Sequence, residues 1–470
     1  MSKILCDQGY IILKQNLTEE QIKLLKKDLN VKPFIHGKRG NFVKKFKIYK
    51  ENDIKFCIPK FYGINHFGIP DINDISNGND INLSFEGSLR DYQSKLINDN
   101  FEKIRDQLGG TISLPPGRGK TVIALNLICK LGKKTLVIVH KSFLLKQWED
   151  RINQFIPNAN VGIIQGKIID IQDKDIVIGM LQSISLKDDY SDDLFDEFGT
   201  IIIDEAHHIS AEKFSQALQK ISAPYMIGLS ATPFRDDKLE KVLSYYIGDI
   251  IYYEKPKENQ NILVNIYKYN TEHERFRIVI NKYTQEAQIA TMITNLTLVE
   301  DRNDFIISLI ISCRTDSNRK ILVLSERLEH LNNLKSQIDL LDIGSTGLYV
   351  GGMKQKKLDI SAEANIIFST YSMSSEGLDI GTLNTVLLAT PRRKVEQSTG
   401  RILRKNNYII QPLIIDIVDK IKTFTNQSYT RNSYYKKITN NIITFTYENG
   451  IISVKNTIKK NPPNEPLFYD

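Results

Sequence analysis

Short apolar runs alternate with stretches of helical periodicity along most of the chain. Fully apolar strands between helices are typical of a parallel sheet with helices on both faces. The runs fall into two series, Leu136 to Val139, Ile176 to Gly179, Ile201 to Ile203 and Met226 to Leu229, and then Lys320 to Leu324, Ala364 to Phe368, Thr385 to Ala389 and Leu413 to Ile417. The pattern therefore predicts an α/β chain with two such domains in tandem.

The first 84 residues carry a different pattern. Thr18 and Gln21 have the spacing of a capping box and predict a helix that runs to about Asn30. Strand-like pieces follow, and the Asn-, Asp- and Gly-rich stretch Asp71 to Asn82 is typical of a linker. We interpret residues 1–84 as a small α+β domain.

Two further segments need an interpretation. Residues 239–303 are long for a connection, and we expect strands at Ile250 to Tyr253 and Ile262 to Tyr269 with helical material from Glu272 to Leu298. In the tail, Asn449-Gly450 lies between alternating apolar runs and predicts a β-hairpin. The expected domains are residues 1–84, 85–252, 253–420 and 421–470, the last a short C-terminal extension.

Composition narrows the class of protein. The 470 residues are 41% hydrophobic and 25% charged, as in ordinary soluble proteins. No apolar run approaches the ~20 residues of a membrane span, and the first 30 residues lack a signal-peptide core, so we expect an intracellular, soluble protein without a membrane partner. Four scattered cysteines argue against a zinc knuckle or a disulfide scaffold.

Charge is distributed unevenly. Residues 1–84 and 420–470 carry a net charge of +5 each, whereas the residues between them carry −2. The segment from Lys32 to Lys60 mixes nine basic residues with five aromatic ones. Such a mixture suits a polyanion with stackable bases, but it also suits a solvated strand face above a small aromatic core. The sequence leaves both interpretations open.

The first candidate for chemistry is the stretch TISLPPGRGKT, Thr111 to Thr121. An apolar strand leads into a loop with two glycines and then into a helical pattern. The backbone N–H groups of such a loop can cradle a polyphosphate, with Lys120 on the outer phosphates and Thr121 on Mg²⁺. Leu114 departs from the full motif, which has glycine at that position.

The second candidate is the acidic pair Asp204 and Glu205, which follows the apolar run Ile201 to Ile203. This position is the carboxyl end of a predicted buried strand, where ligands of open α/β sheets bind. Asp204 can hold Mg²⁺ and Glu205 can orient an attacking water. The pair alone could be an ordinary solvated strand end, but its place after the lysine loop in the same predicted sheet favours a nucleotide site.

The ordered motifs of residues 88–420 resemble those of superfamily 2 helicases and translocases of the DEAH-box-like type. Five of them carry the resemblance: GRGKT, DEAH, LSATPFR (Leu229 to Arg235), STYSMSSEGLDI (Ser369 to Ile380) and QSTGRILRK (Gln397 to Lys405). The resemblance implies two tandem RecA-like domains and an ATP-hydrolysing enzyme with ATP and Mg²⁺ as cofactors. It also implies catalytic roles for Lys120, Asp204, Glu205, Gln397, Arg401 and Arg404, the two arginines acting on the γ-phosphate.

The same resemblance extends to binding and coupling residues. It assigns the nucleotide to Arg90, Gln93, Pro116, Gly117, Arg118, Gly119, Lys120, Thr121, Gly377 and Asp379, and Mg²⁺ to Thr121 and Asp204. It assigns the nucleic-acid backbone to Lys141, Ser183, Thr232 and Thr370, and we add the basic loop residues Arg392 and Arg393. It assigns the coupling of ATP to nucleic acid to His207, Ser230 and Thr232.

Finer details resemble the branch that contains XPB, phage UvsW and the poxvirus-type transcript-release helicase. LRDYQ, DEAHH and the Arg235-Asp236-Asp237 run carry this likeness. Asp236 departs from the Arg-Glu-Asp element of XPB-like proteins. The branch implies a thumb-like insert within residues 239–303 and action on duplex DNA or DNA–RNA hybrids.

We therefore expect an ATP-dependent helicase or translocase that unwinds or remodels DNA or DNA–RNA duplexes in viral transcription termination, replication or repair. Expected partners are single-stranded and duplex DNA, RNA, and transcription or replication proteins, and we favour a monomer. A viral source would place it in the virion or the host cytoplasm. The alternatives are the motor subunit of a restriction-type nuclease and an ATP-switched nucleic-acid clamp or transcription factor that does not unwind.

Overall fold

The structure is a computed structural model that describes residues 3–33, 44–115, 117–186, 194–206, 211–231, 239–255, 261–376, 380–403, 409–448 and 450–458. The chain divides into two compact units, residues 1–255 and residues 256–470. Among the described residues, no helix combines the length and the hydrophobicity that crossing a membrane requires.

The first unit begins with a small α+β arrangement. Its strands are β1 (Ile4–Cys6), β2 (Gly9–Leu13), β3 (Asn30–Val31), β4 (Phe46–Lys47), β5 (Lys50–Glu51), β6 (Lys55–Ile58) and β7 (Ile72–Asn73), and its helices are α1 (Glu19–Asp28) and α2 (Lys60–Phe67). Five strands form a sheet in the order β5-β6-β2-β1-β7. The predicted capping box starts α1: the side chains of Thr18 and Gln21 each bond the other residue's backbone N–H.

An eight-stranded sheet forms the rest of the first unit. Its strands are β8 (Gly109–Ser113), β9 (Thr135–Val139), β10 (Val161–Gln165), β11 (Ile168–Asp170), β12 (Ile176–Met180), β13 (Thr200–Ile203), β14 (Tyr225–Ser230) and β15 (Ile250–Tyr253). The helices are α3 (Asp91–Gln107), α4 (Lys120–Leu131), α5 (Ser142–Phe155), α6 (Leu181–Leu186), α7 (Ala211–Leu218) and α8 (Glu240–Ile247). The order is β11-β10-β12-β9-β13-β14-β8-β15, and every pair except β10 with β11 is parallel.

Alternate strand residues of this sheet enter two different cores. Ile202 on β13 packs in one apolar cluster with α4 and α5, whereas Ile201 and Ile203 pack in another with α7 and α8. Both faces are therefore covered, which is why these strands are apolar at every position. The second cluster continues into the α+β arrangement and includes Tyr10 and Phe56.

The stretch predicted as a linker is bonded to the large sheet's loops. Asn79 N–H donates to the Glu197 carbonyl and Ile81 N–H to the Gly132 carbonyl. Lys60 on α2 is buried, and its ammonium donates to the carbonyls of Ala223 and Pro224. Residues 1–84 are therefore built into the first unit and are not tethered to it loosely.

The second unit holds another eight-stranded sheet. Its strands are β16 (Leu263–Asn270), β17 (Ile321–Ser325), β18 (Thr346–Tyr349), β19 (Ile366–Thr370), β20 (Thr385–Leu388), β21 (Leu413–Asp419), β22 (Ile442–Glu448) and β23 (Ile451–Ile458). The helices are α9 (Ile289–Thr297), α10 (Glu300–Arg314), α11 (Leu328–Leu341), α12 (Gln355–Glu363), α13 (Tyr371–Glu376), α14 (Glu396–Thr399) and α15 (Lys422–Ile438). The order is β18-β19-β17-β20-β21-β16-β22-β23, with only β22 and β23 antiparallel.

These two sheets confirm the predicted α/β fold class with two mostly parallel sheets in tandem. Each of the eight apolar runs named from the sequence becomes a strand. The predicted tail hairpin forms as β22 and β23, and it extends the second sheet because β22 pairs in parallel with β16.

One prediction in the long connection is wrong. Helix begins only at Ile289, whereas residues 271–288 form turns and a single bridge between Ile280 and Ala287. The Asn281 side chain accepts the backbone N–H groups of Tyr283 and Thr284, and such local bonds compete with helix formation.

Candidate nucleotide site of the first unit

The loop between β8 and α4 has the backbone that a phosphate cradle requires. Gly117 and Gly119 adopt φ angles of 80° and 71°, in the left-handed region that favours glycine. A Cβ on Gly119 would lie 2.4 Å from the Gln93 amide nitrogen, so a larger residue would also have to displace the Gln93 side chain. Lys120 is the first residue of α4, and the free N–H groups of that helix start face the same loop as the glycines.

Leu114, which departs from the full lysine-loop motif, has a structural role. Its side chain is fully buried, and its N–H donates to the Ser230 carbonyl, which extends the pairing of β8 with β14. The chain at this position is still part of the sheet. The phosphate loop proper therefore begins after Leu114, and no glycine is needed there.

The start of α3 holds this loop from one side. Gln93 donates from its amide nitrogen to the Arg118 carbonyl at 3.2 Å and accepts the Arg90 N–H on its oxygen at 2.9 Å. The Tyr92 hydroxyl donates to the same Arg118 carbonyl at 2.8 Å. Gln93 thus contacts the loop, while Arg90 is exposed at the helix start.

The Arg118 side chain turns toward β15. Its guanidinium bonds both carboxylate oxygens of Glu254, at 3.0 Å and 2.8 Å, and its central carbon lies 3.4 Å from the centre of the Tyr92 ring. A two-point contact of this kind fixes orientation as well as distance. Sequence reasoning assigned Arg118 to the nucleotide and did not identify Glu254 or Tyr92 as its partners.

The acidic pair lies at the carboxyl end of β13, separated from β8 by β14 alone. The Lys120 ammonium lies 2.8 Å from a Glu205 carboxylate oxygen. Glu205 has a φ angle of 48°, which is uncommon for a residue with a side chain. The structure therefore brings together Lys120 and Glu205, which are far apart in the sequence.

Asp204 is almost completely buried and is bonded on both oxygens. Its Oδ1 accepts the Glu205 N–H at 3.0 Å, and its Oδ2 accepts the indole N–H of Trp148 at 2.8 Å. The pKa of Asp204 is raised, because burial and the Glu205 carboxylate outweigh the Lys120 ammonium and the Trp148 N–H, which lower it. Sequence reasoning favoured core packing for Trp148; its hydrogen bond to Asp204 carries no signal in the sequence.

The oxygen donors here fit a hard divalent cation. Each carboxylate oxygen of Asp204 accepts one hydrogen bond and keeps a lone pair. Thr121, which the resemblance assigns to Mg²⁺, lies in the first turn of α4. Mg²⁺ is commonly held by one or two such groups together with the phosphates of a nucleotide. Among the described residues, no cluster of three or more His, Cys, Asp or Glu side chains could hold a metal by itself.

Three other predicted residues of the first unit lie near strand ends. Lys141 precedes the first residue of α5, just after β9. The Ser183 hydroxyl accepts the Gly166 N–H at 2.8 Å. Ser230 ends β14 next to the phosphate loop and is buried.

In the second unit, the predicted nucleic-acid residues lie beside one carboxyl edge of the sheet. Thr370 ends β19, and its hydroxyl lies 3.2 Å from that of Ser372. Arg392 is exposed and pairs with Glu326, while its carbonyl accepts a bond from the buried Arg431 of α15. Arg393 is exposed in the same loop, and Gln397 lies in α14.

Several predicted residues lie outside the described part of the chain: Pro116, His207, Thr232, Gly377, Asp379 and Arg404. The backbone of Arg401 lies in a short 3₁₀ helix, Gly400–Leu403, but the structure does not describe the Arg401 side chain. Their assignments stay predictions.

Comparison with known proteins gives one family and several relatives. The family described as "Type III restriction enzyme, res subunit" matches residues 86–235. The chain is 40% identical over 444 residues to a protein of Acanthamoeba polyphaga mimivirus that is named as a predicted ATP-dependent RNA helicase, L396, covering 92% of this chain and 85% of that one. It is 27% identical over 379 residues to a predicted helicase, 161L, of Invertebrate iridescent virus 6, covering 76% of this chain and 83% of that one.

A solved structure gives the same fold. Dbp5 of S. cerevisiae, bound to RNA and ADP BeF3, aligns with a TM-score of 0.51 and 13% identity over 76% of this chain and 94% of that one. At this identity the likeness concerns the fold alone.

Proposed function

This chain belongs to the superfamily 2 ATP-dependent helicases, like the helicases of large DNA viruses, and we propose that it uses ATP hydrolysis to move along nucleic acid. We further propose that it unwinds or remodels DNA or DNA–RNA duplexes. The contact of Lys120 with Glu205 supports the proposal most directly, because it joins the phosphate loop to the residue suited to activate water. ATP is the cofactor of the family, and we propose Mg²⁺ as the metal that accompanies it.

The proposed chemistry assigns a role to each residue of the site. The N–H groups of the loop and of α4 bind the phosphates, and the Lys120 ammonium neutralises charge on the outer ones. Mg²⁺ held by Asp204 and Thr121 would supply electrostatic stabilisation of the phosphates. Glu205 orients the attacking water and accepts its proton.

The Lys120 contact explains how the site would wait for its substrate. The charges of Lys120 and Glu205, both only partly exposed, compensate each other at 2.8 Å. A γ-phosphate offers Lys120 a stronger anionic partner, which would release Glu205 to bind water. We propose that Arg401 and Arg404 stabilise charge on the transferred phosphoryl group, as the resemblance implies.

Nucleic acid is the proposed track. Phosphate contacts by Lys141, Ser183, Thr232, Thr370, Arg392 and Arg393 would grip a strand without reading its sequence, which suits a motor. The name of the mimivirus relative refers to RNA, whereas the motif resemblance favours duplex DNA and hybrids. We propose a monomer that acts with transcription or replication proteins.

The deciding experiment measures ATP hydrolysis with single-stranded DNA, duplex DNA, RNA and a DNA–RNA hybrid in turn, followed by strand displacement on each duplex that stimulates it. Lys120→Ala is the matched negative control. Stimulation together with displacement is the expected result. Hydrolysis without displacement of any duplex would favour the ATP-switched clamp.

The description of the matched family makes the motor subunit of a restriction nuclease the second candidate. The match covers the nucleotide-binding region only, and that region is the part any such motor shares. Incubation of supercoiled plasmid with protein, ATP and Mg²⁺ separates the two candidates. Strand breaks that persist in Glu205→Gln without ATP turnover would indicate a nuclease site.

A further inference from the structure

Trp148 is the only tryptophan of the chain, and its environment is unusual for a core residue. It lies on α5, is only 1% exposed, and packs among Leu144, Leu145 and Ile152. A buried indole N–H needs an acceptor, because leaving it without one costs free energy. The acceptor here is not a backbone carbonyl but Oδ2 of Asp204, at 2.8 Å.

This bond acts on a group whose orientation matters. The Glu205 N–H holds Oδ1 at 3.0 Å, so the carboxylate is gripped at both oxygens from two directions. A carboxylate held in this way cannot rotate about its last bond without losing one of the two bonds. Its remaining lone pairs therefore face a fixed direction, which is the condition for binding a cation with strict geometry such as Mg²⁺.

We propose that Trp148 is a positioning residue for the metal of the nucleotide: its indole N–H orients the Asp204 carboxylate as a Mg²⁺ ligand. The inference rests on the proposed role of Asp204. Partners that orient metal ligands typically change metal affinity by 10- to 100-fold when they are removed. A residue that serves core packing alone would change stability and leave the metal dependence untouched.

Trp148→Phe is the discriminating variant, because it keeps an aromatic ring and removes the N–H. Its matched control is Ile152→Val, one turn further along α5, which loosens the same buried face without touching Asp204. The measurement is the binding of a fluorescent ADP analogue as Mg²⁺ is raised from zero to millimolar concentration, with folding of each variant checked by circular dichroism.

The expected result is that Trp148→Phe needs about tenfold more Mg²⁺ for half-maximal nucleotide binding, while its affinity in EDTA and the Ile152→Val titration match the wild type. A wild-type Mg²⁺ dependence in Trp148→Phe would overturn the inference. Nucleotide binding by the wild type that ignores Mg²⁺ would instead overturn the proposed metal site itself.

A second measurement needs no variant. Because Trp148 is the only tryptophan, the protein's indole emission reports on Asp204 directly. Adding Mg²⁺ to the ADP complex should change that emission, whereas adding ADP in EDTA should change it much less. An emission that does not respond to Mg²⁺ at saturating ADP would overturn the inference even if Trp148→Phe failed to fold.

Discussion

Arg118 of the phosphate loop and Glu254, one residue beyond β15, are joined by two hydrogen bonds between guanidinium and carboxylate. The Glu254 N–H in turn donates to the Ser113 carbonyl at the end of β8. Glu254 therefore holds Ser113, just before the phosphate loop, and Arg118, within it, beside β15 at the edge of the sheet. Glu254 also lies next to the last residue of the first unit, Lys255.

Glu254→Gln should loosen the phosphate loop. The substitution keeps the shape of the side chain but removes the charge that orients Arg118. We expect the amide hydrogens of Leu114 and of residues 117–121 to exchange about 5- to 30-fold faster, which corresponds to the loss of about 1–2 kcal/mol from a largely shielded charged pair. Hydrogen exchange followed by mass spectrometry measures it.

The control for this change is Asp99→Asn, which removes the exposed ion pair between Lys95 and Asp99 on α3. Exposed pairs of this kind contribute little to stability, so exchange in residues 114–121 should not respond. Equal exchange in Glu254→Gln and the wild type would show that the loop does not depend on the pair.

Glu205→Gln should separate ATP binding from hydrolysis. The amide can still accept a bond from Lys120 but cannot accept a proton from water. We expect hydrolysis to fall at least 100-fold, the usual contribution of a general base, while a fluorescent ATP analogue still binds. Phosphate release and equilibrium binding are the two measurements, and full turnover by this variant would remove the assigned role of Glu205.

The second unit should lose stability in mild acid because of His330. This imidazole is buried between Asn303 and Ser325, and burial, with the nearby Arg302, lowers its pKa to about 3. The unfolded chain has the ordinary value of about 6.5, so between pH 6.5 and 3 the unfolded state binds more protons. The contribution of neutral His330 to the free energy of unfolding is complete above pH 6.5. It is lost as pH falls, by about 2 kcal/mol at pH 5.

His330→Gln removes this dependence, because glutamine does not titrate. Urea unfolding of the full chain, read by pulsed hydrogen exchange of residues 328–341, gives the free energy of unfolding of α11 at pH 7 and pH 5. The difference between the two pH values should be about 2 kcal/mol smaller in the variant. An equal difference in both proteins would contradict the prediction.

The basic residues of the first 84 positions should contribute to nucleic-acid binding through their charge. Tyr49 and Phe56 are buried, so they belong to the small core and do not present a face for bases. Lys45, Lys50 and Lys55 are exposed. Replacing these three by glutamine should weaken binding of all sequences alike and make its salt dependence shallower, by about two units of slope for a single strand.

The control is a second triple variant, with glutamine in place of Lys95, Lys103 and Lys241. It removes the same charge from exposed positions elsewhere in the first unit. Equal salt slopes for the two triple variants would remove nucleic-acid binding from the role of this segment. Deleting residues 1–84 is a poorer test, because it would uncover α8 and remove the Lys60 bonds to Ala223 and Pro224.

Those parts of the structure that follow from local pattern could be predicted from the sequence. Strands such as Ile201 to Ile203 are apolar at every position because both faces of the sheet are covered, so they stand out in the sequence. Lys120 and Glu205 were identified because each follows such a strand, and parallel strands bring their carboxyl ends to one edge. The hairpin of β22 and β23 could be predicted in the same way, because an Asn-Gly pair between two alternating apolar runs is a local signal.

The rest depended on pairs that are distant in the chain. Nothing near Trp148 indicates that its indole reaches Asp204, and nothing near Arg118 indicates Glu254. The stretch Asp71 to Asn82 has linker composition, yet the backbone N–H groups of Asn79 and Ile81 donate to carbonyls in loops of the large sheet. The composition of a segment indicates its local backbone preference but does not indicate which distant residue it contacts.

The pairing of β16 with β22 has a consequence for biosynthesis. All eight strands of the first unit's large sheet have left the ribosome once Tyr253 is free, whereas β16 lacks its neighbour on one side until residues 442–448 have been made. A nascent chain would therefore carry a folded first unit beside an incomplete sheet with an open strand edge, and open edges invite aggregation. Truncation before residue 442 should yield insoluble protein even though every residue of the nucleotide site is present.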